Sequence, residues 1–433
     1  MPEWIWGISG IVVFLILIVC GVRIAFAALI GGLLSFLLVY NNWNTAGTAI
    51  GGLVFTEGTK YALTVIPLFI FMGYLAFHSG VGAGLYETAR SWLGRLPGGL
   101  ASATVMGCAF FGAISGSSTA AVAMFSKISM PEMDKAKYQP SLSIGSIAAA
   151  GTLANLIPPS TLMVIYGMLS EQSIGKLLIA GFIPGLISAI IYSLMITFRC
   201  IKNPQLGPRG PSTSFREKIS SLRGIIIVFI VMVIIIGGLY TGVFTPTEAG
   251  ACSAFVMLIF SLIVVRGLRW SMLRNALLET ARISCMIFTI IIGIKIMTTA
   301  LISSGALGIM VDFFVALPVS PYLLLLVAAV IYIILGAFVG VLGMMVMTVP
   351  FLVPVLAEVG FDPIWLGVIV IKFCEVGLIT PPIGVNVFVT AQVIGRDVSE
   401  CFRAITWFLL MDLCTIGLFV ALPQLVLFLP SRM

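Results

Sequence analysis

Residues 96–126, LPGGLASATVMGCAFFGAISGSSTAAVAMFS, carry no charge over 31 positions. Arg90 and Arg95 precede the stretch and Lys127 follows it. Short loops rich in Lys and Arg stay on the cytoplasmic side of a membrane, so both ends read as cytoplasmic. One crossing takes about 20 apolar residues and two take about 40. A single crossing would separate the ends, and the stretch is too short for a full return. It therefore predicts a re-entrant hairpin that turns inside the membrane at Ser115-Gly116-Ser117-Ser118. Non-helical backbone at that depth is tolerated only where it is buried in protein or lines a cavity.

The rest of the 433 residues supports a membrane setting. The chain is 60% hydrophobic and 9% charged, with a mean hydropathy of +1.18, whereas a soluble domain carries roughly 25% charged residues. The first apolar stretch, Glu3 to Arg23, has no basic leader and no small-residue cleavage site, so it reads as a retained span. A net charge of +7 would indicate nucleic acid in a soluble protein. Here the basic residues sit in short loops between spans, and no nucleic acid is expected. Eight scattered Cys form no CxxC and have no His beside them, which argues against a disulfide or metal framework.

Loop charges then give an orientation. The segment Arg199–Arg223 holds six basic residues against Glu217, and Arg266–Arg282 holds four Arg against Glu279. With both inside, spans 224–240 and 247–265 cross between them. Working outward, 138–170 leaves the cytoplasm and 177–198 returns. Residues 283–302 exit, 313–357 has two external ends and becomes a second hairpin with its tip at Gly340–Gly343, 363–394 returns, and 404–429 exits. This assigns 18 of the 23 basic residues to the cytoplasm, three (Lys60, Lys176, Arg432) to the outside, and Lys295 and Lys372 to membrane depth. The expected fold is all-α and integral to the membrane, with about 10 spans plus two re-entrant hairpins.

The halves match in sequence at nearly one offset. Ser79-Gly80 pairs with Ser304-Gly305, Gly112-Ala113-x-x-Gly116 with Gly336-Ala337-x-x-Gly340, and Pro158-Pro159 with Pro381-Pro382. Charge gave these halves opposite orientations independently. Inverted repeats with interrupted helices meeting at the midplane are the architecture of secondary transporters. The expected division is N-terminal scaffold spans 1–60; a first repeat 61–170 with hairpin 96–126 and broken helix 138–170; scaffold spans and a cytoplasmic loop 171–282; an inverted repeat 283–394 with hairpin 313–357 and broken helix 363–394; and a C-terminal span 395–433.

A helix broken at mid-membrane leaves free carbonyls at one end and free amides at the next. The carbonyls suit a hard cation such as Na⁺, and the amides suit an anion. Four breaks are expected: the two hairpin tips, and the proline pairs in Asn155-Leu-Ile-Pro158-Pro159-Ser160-Thr161 and Leu378-Ile-Thr380-Pro381-Pro382-Ile-Gly384-Val-Asn386. Proline removes a donor and clashes with the preceding turn, so a pair interrupts the helix. Candidate cation positions are Ser115, Gly116, Asn155, Pro158, Gly340, Gly343, Thr380 and Pro381. Candidate substrate positions are Ser117, Ser118, Ser160 and Asn386. Gly and Ser also serve tight helix packing in lipid. Hydroxyls at the first tip can ligate a cation, bond a carboxylate, or satisfy the turn.

Ionisable residues at membrane depth are functional candidates by default. Lys372 and Glu375 lie three apart on one helix face and can neutralise each other. Glu248 can cap the helix that follows it. Lys295 and Asp412 have no partner that the sequence assigns, and His78 stands alone near a cytoplasmic interface. No carboxylate pair, nucleophile constellation, phosphate loop or metal cluster is visible, so the chain reads as neither an enzyme nor an ATP-driven pump.

Phe110–Met124 (FFGAISGSSTAAVAM), Ala149–Met168 (AAGTLANLIPPSTLMVIYGM), Thr245–Cys252 (TPTEAGAC) and Glu375–Thr390 (EVGLITPPIGVNVFVT) together resemble the large, DctM-like subunit of tripartite ATP-independent periplasmic (TRAP) transporters. The resemblance runs through nearly the whole chain. It implies an elevator-type fold, sodium-driven import of an organic acid, commonly a carboxylate, and location in the bacterial inner membrane. It further implies a small four-span DctQ-like subunit and a periplasmic DctP-like solute-binding protein. Two positions depart from the family pattern: Gly336-Ala-Phe338-Val-Gly340 lacks the acid of the usual Gly-x-Phe-Leu-Asp, and Ala154 stands where Gly is common. Two other readings compete: a self-sufficient elevator symporter for divalent anions, and a channel or membrane scaffold subunit. A channel more often shows rings of like charge or a repeated filter.

Overall fold

The computed structural model describes residues 3–210, 213–263, 270–336 and 338–433. Arg266 and Arg269 of the second basic loop, and Ala337 of the repeat, lie outside the described residues. The described chain is helical throughout. It begins with α1 (Glu3–Val19), α2 (Ile24–Tyr40), α3 (Trp43–Gly58), α4 (Val65–Ser79) and α5 (Val81–Leu93). The first hairpin is α6 (Gly99–Ser115) and α7 (Ser118–Lys135), followed by α8 (Pro140–Ala150) and α9 (Thr161–Leu169). Next come α10 (Ile174–Ala180), α11 (Phe182–Lys202), α12 (Phe215–Ser221), α13 (Ile226–Met232), α14 (Gly238–Tyr240), α15 (Pro246–Ile263) and the 34-residue α16 (Trp270–Ser303). The second half continues with α17 (Ala306–Val315), α18 (Pro321–Gly336), α19 (Val341–Glu358), α20 (Pro363–Ile379), α21 (Val385–Ile394), α22 (Val398–Ala421) and α23 (Gln424–Leu427).

Six of these helical stretches are long and apolar enough to cross a bilayer alone, and a seventh qualifies if the segments Phe215–Gly224 and Ile226–Tyr240, bent by 53°, count as one span. Helices α1 and α2, at 17 residues each, reach about 25 Å at 1.5 Å per residue. The outward faces carry Phe229, Phe255, Leu326 and Leu413, side chains suited to lipid contact.

Small residues bring the scaffold helices together. A Cβ on Gly10 would fall 2.6 Å from the carbonyl of Gly31, and one on Gly32 would fall 2.8 Å from the backbone of Met297. In lipid, where apolar burial drives little association, such close backbone approach supplies the van der Waals contact that holds helices. Ser35, buried between α1 and α2, adds a bond from its Oγ to the Gly7 carbonyl at 3.2 Å.

The two repeats interlock by a repeated pattern of contacts. In each, the hairpin packs on the first half of its own broken helix: α6 and α7 on α8, and α18 and α19 on α20. The second half of each broken helix crosses to the other repeat, so that α9 packs on α19 and α21 packs on α7. The closest approaches correspond as well. A Cβ on Gly112 would sit 2.6 Å from Ala154 Cα, and one on Gly336 would sit 2.6 Å from Gly377 Cα. The glycine pair seen in sequence, Gly112 and Gly336, is thus the pair on which each hairpin leans.

Candidate functional site

The first interruption starts where α8 tightens into a 3₁₀ turn, Gly151–Asn155. Leu156–Ser160 follows with a cis Pro158–Pro159 bond, and every residue from 151 to 160 is buried. Ser160 closes the break. Its Oγ accepts from the Met163 N–H at 3.2 Å, capping α9, and donates to the Asn155 carbonyl. The Asn155 Nδ2 is buried with no partner among the described residues.

The tip of the first hairpin rests on this break. Gly116 has φ +56°, and a Cβ there would lie 2.5 Å from the Pro159 carbonyl and 3.2 Å from Thr161 Oγ1. Positive φ and that clearance both require glycine. Ser117 has the extended backbone of an N-cap and accepts from the Ala120 N–H at 3.4 Å, with Thr119 Oγ1 at 3.3 Å. Ser115 Oγ accepts weakly from the Ser117 N–H at 3.5 Å. Ser115 and Ser118 are buried, Ser117 is half-buried and Thr119 is exposed.

The second set of helix ends is open. Helix α20 stops at Ile379, and Thr380 donates back to the Val376 carbonyl at 2.6 Å. After the cis Pro381–Pro382 bond, Pro381, Pro382 and Ile383 are exposed. Gly384, at φ +43°, begins α21 beside the Phe402 ring without a side chain to cap the helix. Asn386 follows, fully buried, with neither Oδ1 nor Nδ2 partnered among the described residues. At the second hairpin, Gly340 is the exposed N-cap of α19, and a Cβ there would meet nothing within 4 Å.

The candidate positions therefore divide. Gly116 lies directly on Pro159, between Pro158 and Ser160, and Asn155 bonds to Ser160. Asn386 lies on α21, which packs on α7, the helix that Ser118 begins. Thr380, half-buried, leads into the exposed second loop at Pro381, and Gly340 stands at an open tip. Gly343 is a correction: it is not at the tip but in the first turn of α19, buried against Val339 and Ile24 of α2. Helix α19 begins at Val341, three residues earlier than a tip spanning Gly340–Gly343 would allow.

The Lys372–Glu375 pairing read from the sequence is present, and Asp412 joins it. Lys372, fully buried on α20, donates to Glu375 Oε2 at 2.7 Å and to Asp412 Oδ1 on α22 at 2.6 Å. Tyr192 on α11 donates to Asp412 Oδ2 at 2.6 Å. Asp412, which had no assignable partner, has two. A charge cannot be left alone in a dry interior, so a partner was required. Its position 40 residues away on another helix was not readable. Lys295 likewise pairs with Glu171 across the two halves, and His78 lies 3.3 Å from Glu279. Glu248 accepts from the Thr245 N–H at 2.8 Å while Thr245 Oγ1 accepts from its N–H, the capping role expected of it.

Paired helical hairpins and broken helices that cross between the two halves match the inverted-repeat architecture of membrane transporters. The family model "Tripartite ATP-independent periplasmic transporter, DctM component" matches residues 11–425, and the chain belongs to that family. It is a transport protein and not an enzyme. It is 35% identical over 378 residues to the C4-dicarboxylate TRAP transporter large permease protein DctM of Pseudomonas aeruginosa, covering 87% of this chain and 88% of that one. It is 30% identical to the sialic acid TRAP transporter large permease protein SiaM of Vibrio cholerae, covering 96% of each. Among solved structures, the Alcanivorax borkumensis YdaH transporter shares the fold, with a TM-score of 0.58 at 14% identity over 90% of this chain and 91% of that one.

Proposed function

We propose that this chain is the large membrane subunit of a sodium-coupled importer of a carboxylate, working with a small membrane subunit and a periplasmic binding protein in the bacterial inner membrane. The observation that carries the reading is the crossing of the two broken helices onto each other's hairpins. It gathers interrupted helices and two buried, underpartnered amides, Asn155 and Asn386, into one interlocked unit. Carbonyl ends there offer oxygen ligands to a hard cation. The N-termini of α9 and α21 offer amides and a positive dipole end to a carboxylate. A C4-dicarboxylate and a sialic acid, the substrates in the names of the two relatives, both carry carboxylates. Among α1, α2, α3 and α16, the hairpins and broken helices meet chiefly α16, through α9 and α19, a narrow contact that supports sliding of one part past the other.

Reconstitution tests this. The full chain, with its small subunit, goes into proteoliposomes, and the binding protein and labelled succinate are supplied outside. Uptake is expected to require the binding protein and an inward sodium gradient, and to proceed without ATP. Undiminished uptake with sodium replaced by choline removes the sodium coupling. Uptake of free succinate without a binding protein removes the tripartite reading.

A further inference from the structure

The charges of the Lys372 cluster do not balance. One ammonium faces two carboxylates, Glu375 and Asp412, and all three side chains are fully buried. Among the described residues no second basic side chain lies within ion-pair distance of either acid. With both carboxylates ionised the cluster holds a net charge of −1. An uncompensated charge out of water costs several kcal/mol even after the protein relaxes.

The two acids are not equivalent. Both oxygens of Asp412 are engaged, Oδ1 by Lys372 and Oδ2 by Tyr192. Glu375 has Lys372 on Oε2 only, and its Oε1 is buried without a partner among the described residues. The other cations on elements packed against α20, Lys176 of α10 and Arg403 of α22, are exposed at the surface and pair with neither acid. Tyr332 on α18 is bonded to Thr348 and Tyr166 on α9 to the Pro363 carbonyl; Cys374 is a buried thiol and α21 has no ionisable residue.

We propose that Glu375 is a proton-binding site, carrying one proton on Oε1 as the neutral acid at neutral pH. The proton comes from water, forms the O–H bond on Oε1, and takes the cluster from −1 to zero. Lys372 and Asp412 remain the ion pair, with Tyr192 completing Asp412. Glu375 lies one turn before the end of α20, so the neutral cluster ties the second break to α22 and α11 without a net charge in the transport core. This inference stands on the charge balance and does not depend on which substrate or cation is moved.

Infrared spectroscopy of the full-length protein in lipid nanodiscs reads the proton directly through the C=O stretch of a protonated carboxyl. At neutral pH the wild-type minus Glu375→Gln difference is expected to show one such band, with the variant unfolding near the wild-type temperature. Asp412→Asn leaves Lys372 with a single carboxylate, so there Glu375 is expected to ionise and the same band to vanish. Lys372→Met, with no cation left, is expected to enlarge it. Absence of a Glu375-sensitive band in wild-type protein overturns the proposal, and so does persistence of that band in Asp412→Asn. Should Glu375→Gln fail to fold, Glu375→Asp carries the decision: the band is expected to shift in frequency with the change of acid, and an unshifted band would place the proton on Asp412 and overturn the proposal.

Discussion

The two repeats share a layout but finish their broken helices in opposite ways. In the first, the ends are closed. Ser117 and Ser160 cap α7 and α9, residues 151–160 are buried, and the hairpin tip sits on the Pro159 carbonyl. In the second, the N-caps are the glycines Gly340 and Gly384, and Pro381, Pro382 and Ile383 are exposed. An N-cap hydroxyl satisfies an amide that a ligand would otherwise bind. A hydroxyl thus takes one amide at each first-repeat N-terminus, while the second-repeat N-termini have no side-chain cap. The buried Lys372 cluster is built from the second repeat together with α22 and α11, whereas residues 151–160 of the first break include no ionisable side chain.

The comparison is broken most directly at the two hairpin tips. Gly116→Val puts a branched side chain at positive φ, where a Cβ already falls 2.5 Å from a backbone oxygen. Folded protein recovered by size exclusion is expected to drop to near background. Gly340→Ala, at φ −66° with open space around it, is expected to give wild-type recovery. Equal losses at both would mean that the second tip is as tightly held as the first.

A smaller effect separates the polar residues. Ser160→Ala removes both the cap of α9 and the bond to the Asn155 carbonyl, and is expected to cost about 1–2 kcal/mol of stability. Asn386→Ala removes a side chain with no bonds to lose among the described residues. Its melting temperature is expected to hold, while the apparent affinity for the transported carboxylate falls by about tenfold, the worth of one bond to a charged group. Asn386→Ala transporting with unchanged affinity would assign that amide to packing.

The smallest effect concerns the seam between the halves. Lys295 bonds to Glu171 and holds its carboxyl below the ordinary value near 4.5. A depressed carboxylate stabilises the fold above its unfolded value, and the contribution is lost as pH falls through the folded one. The Glu171 side chain is 73% exposed, so solvent screens the pair and the loss is slight. Melting curves of wild type and Glu171→Gln are expected to differ a little at neutral pH and to converge on acidification. Curves that run parallel throughout would show that the pair does not tie the halves.

Much of this was legible because the bilayer restricts what a chain can do. Uncharged 96–126 between basic flanks left room for a hairpin and nothing else, and the helix does turn at Gly116-Ser117. The proline pairs do interrupt α8–α9 and α20–α21, because a missing N–H cannot be made good by any neighbour in sequence. The offset between Gly112 and Gly336 announced a repeat, and the same glycines are where each hairpin touches its broken helix. The family followed from those motifs together.

The sequence by itself therefore determined the membrane setting, the places where helices break, and the pairing of the halves, since length, charge and proline act locally along the chain. Only the tertiary structure decided which ends are closed, that Gly343 lies inside α19, and that Asp412 answers Lys372 from 40 residues away. Those outcomes depend on which helices cross, and a carbonyl, a bare amide or a buried carboxylate has no meaning as a partner until another helix is laid against it.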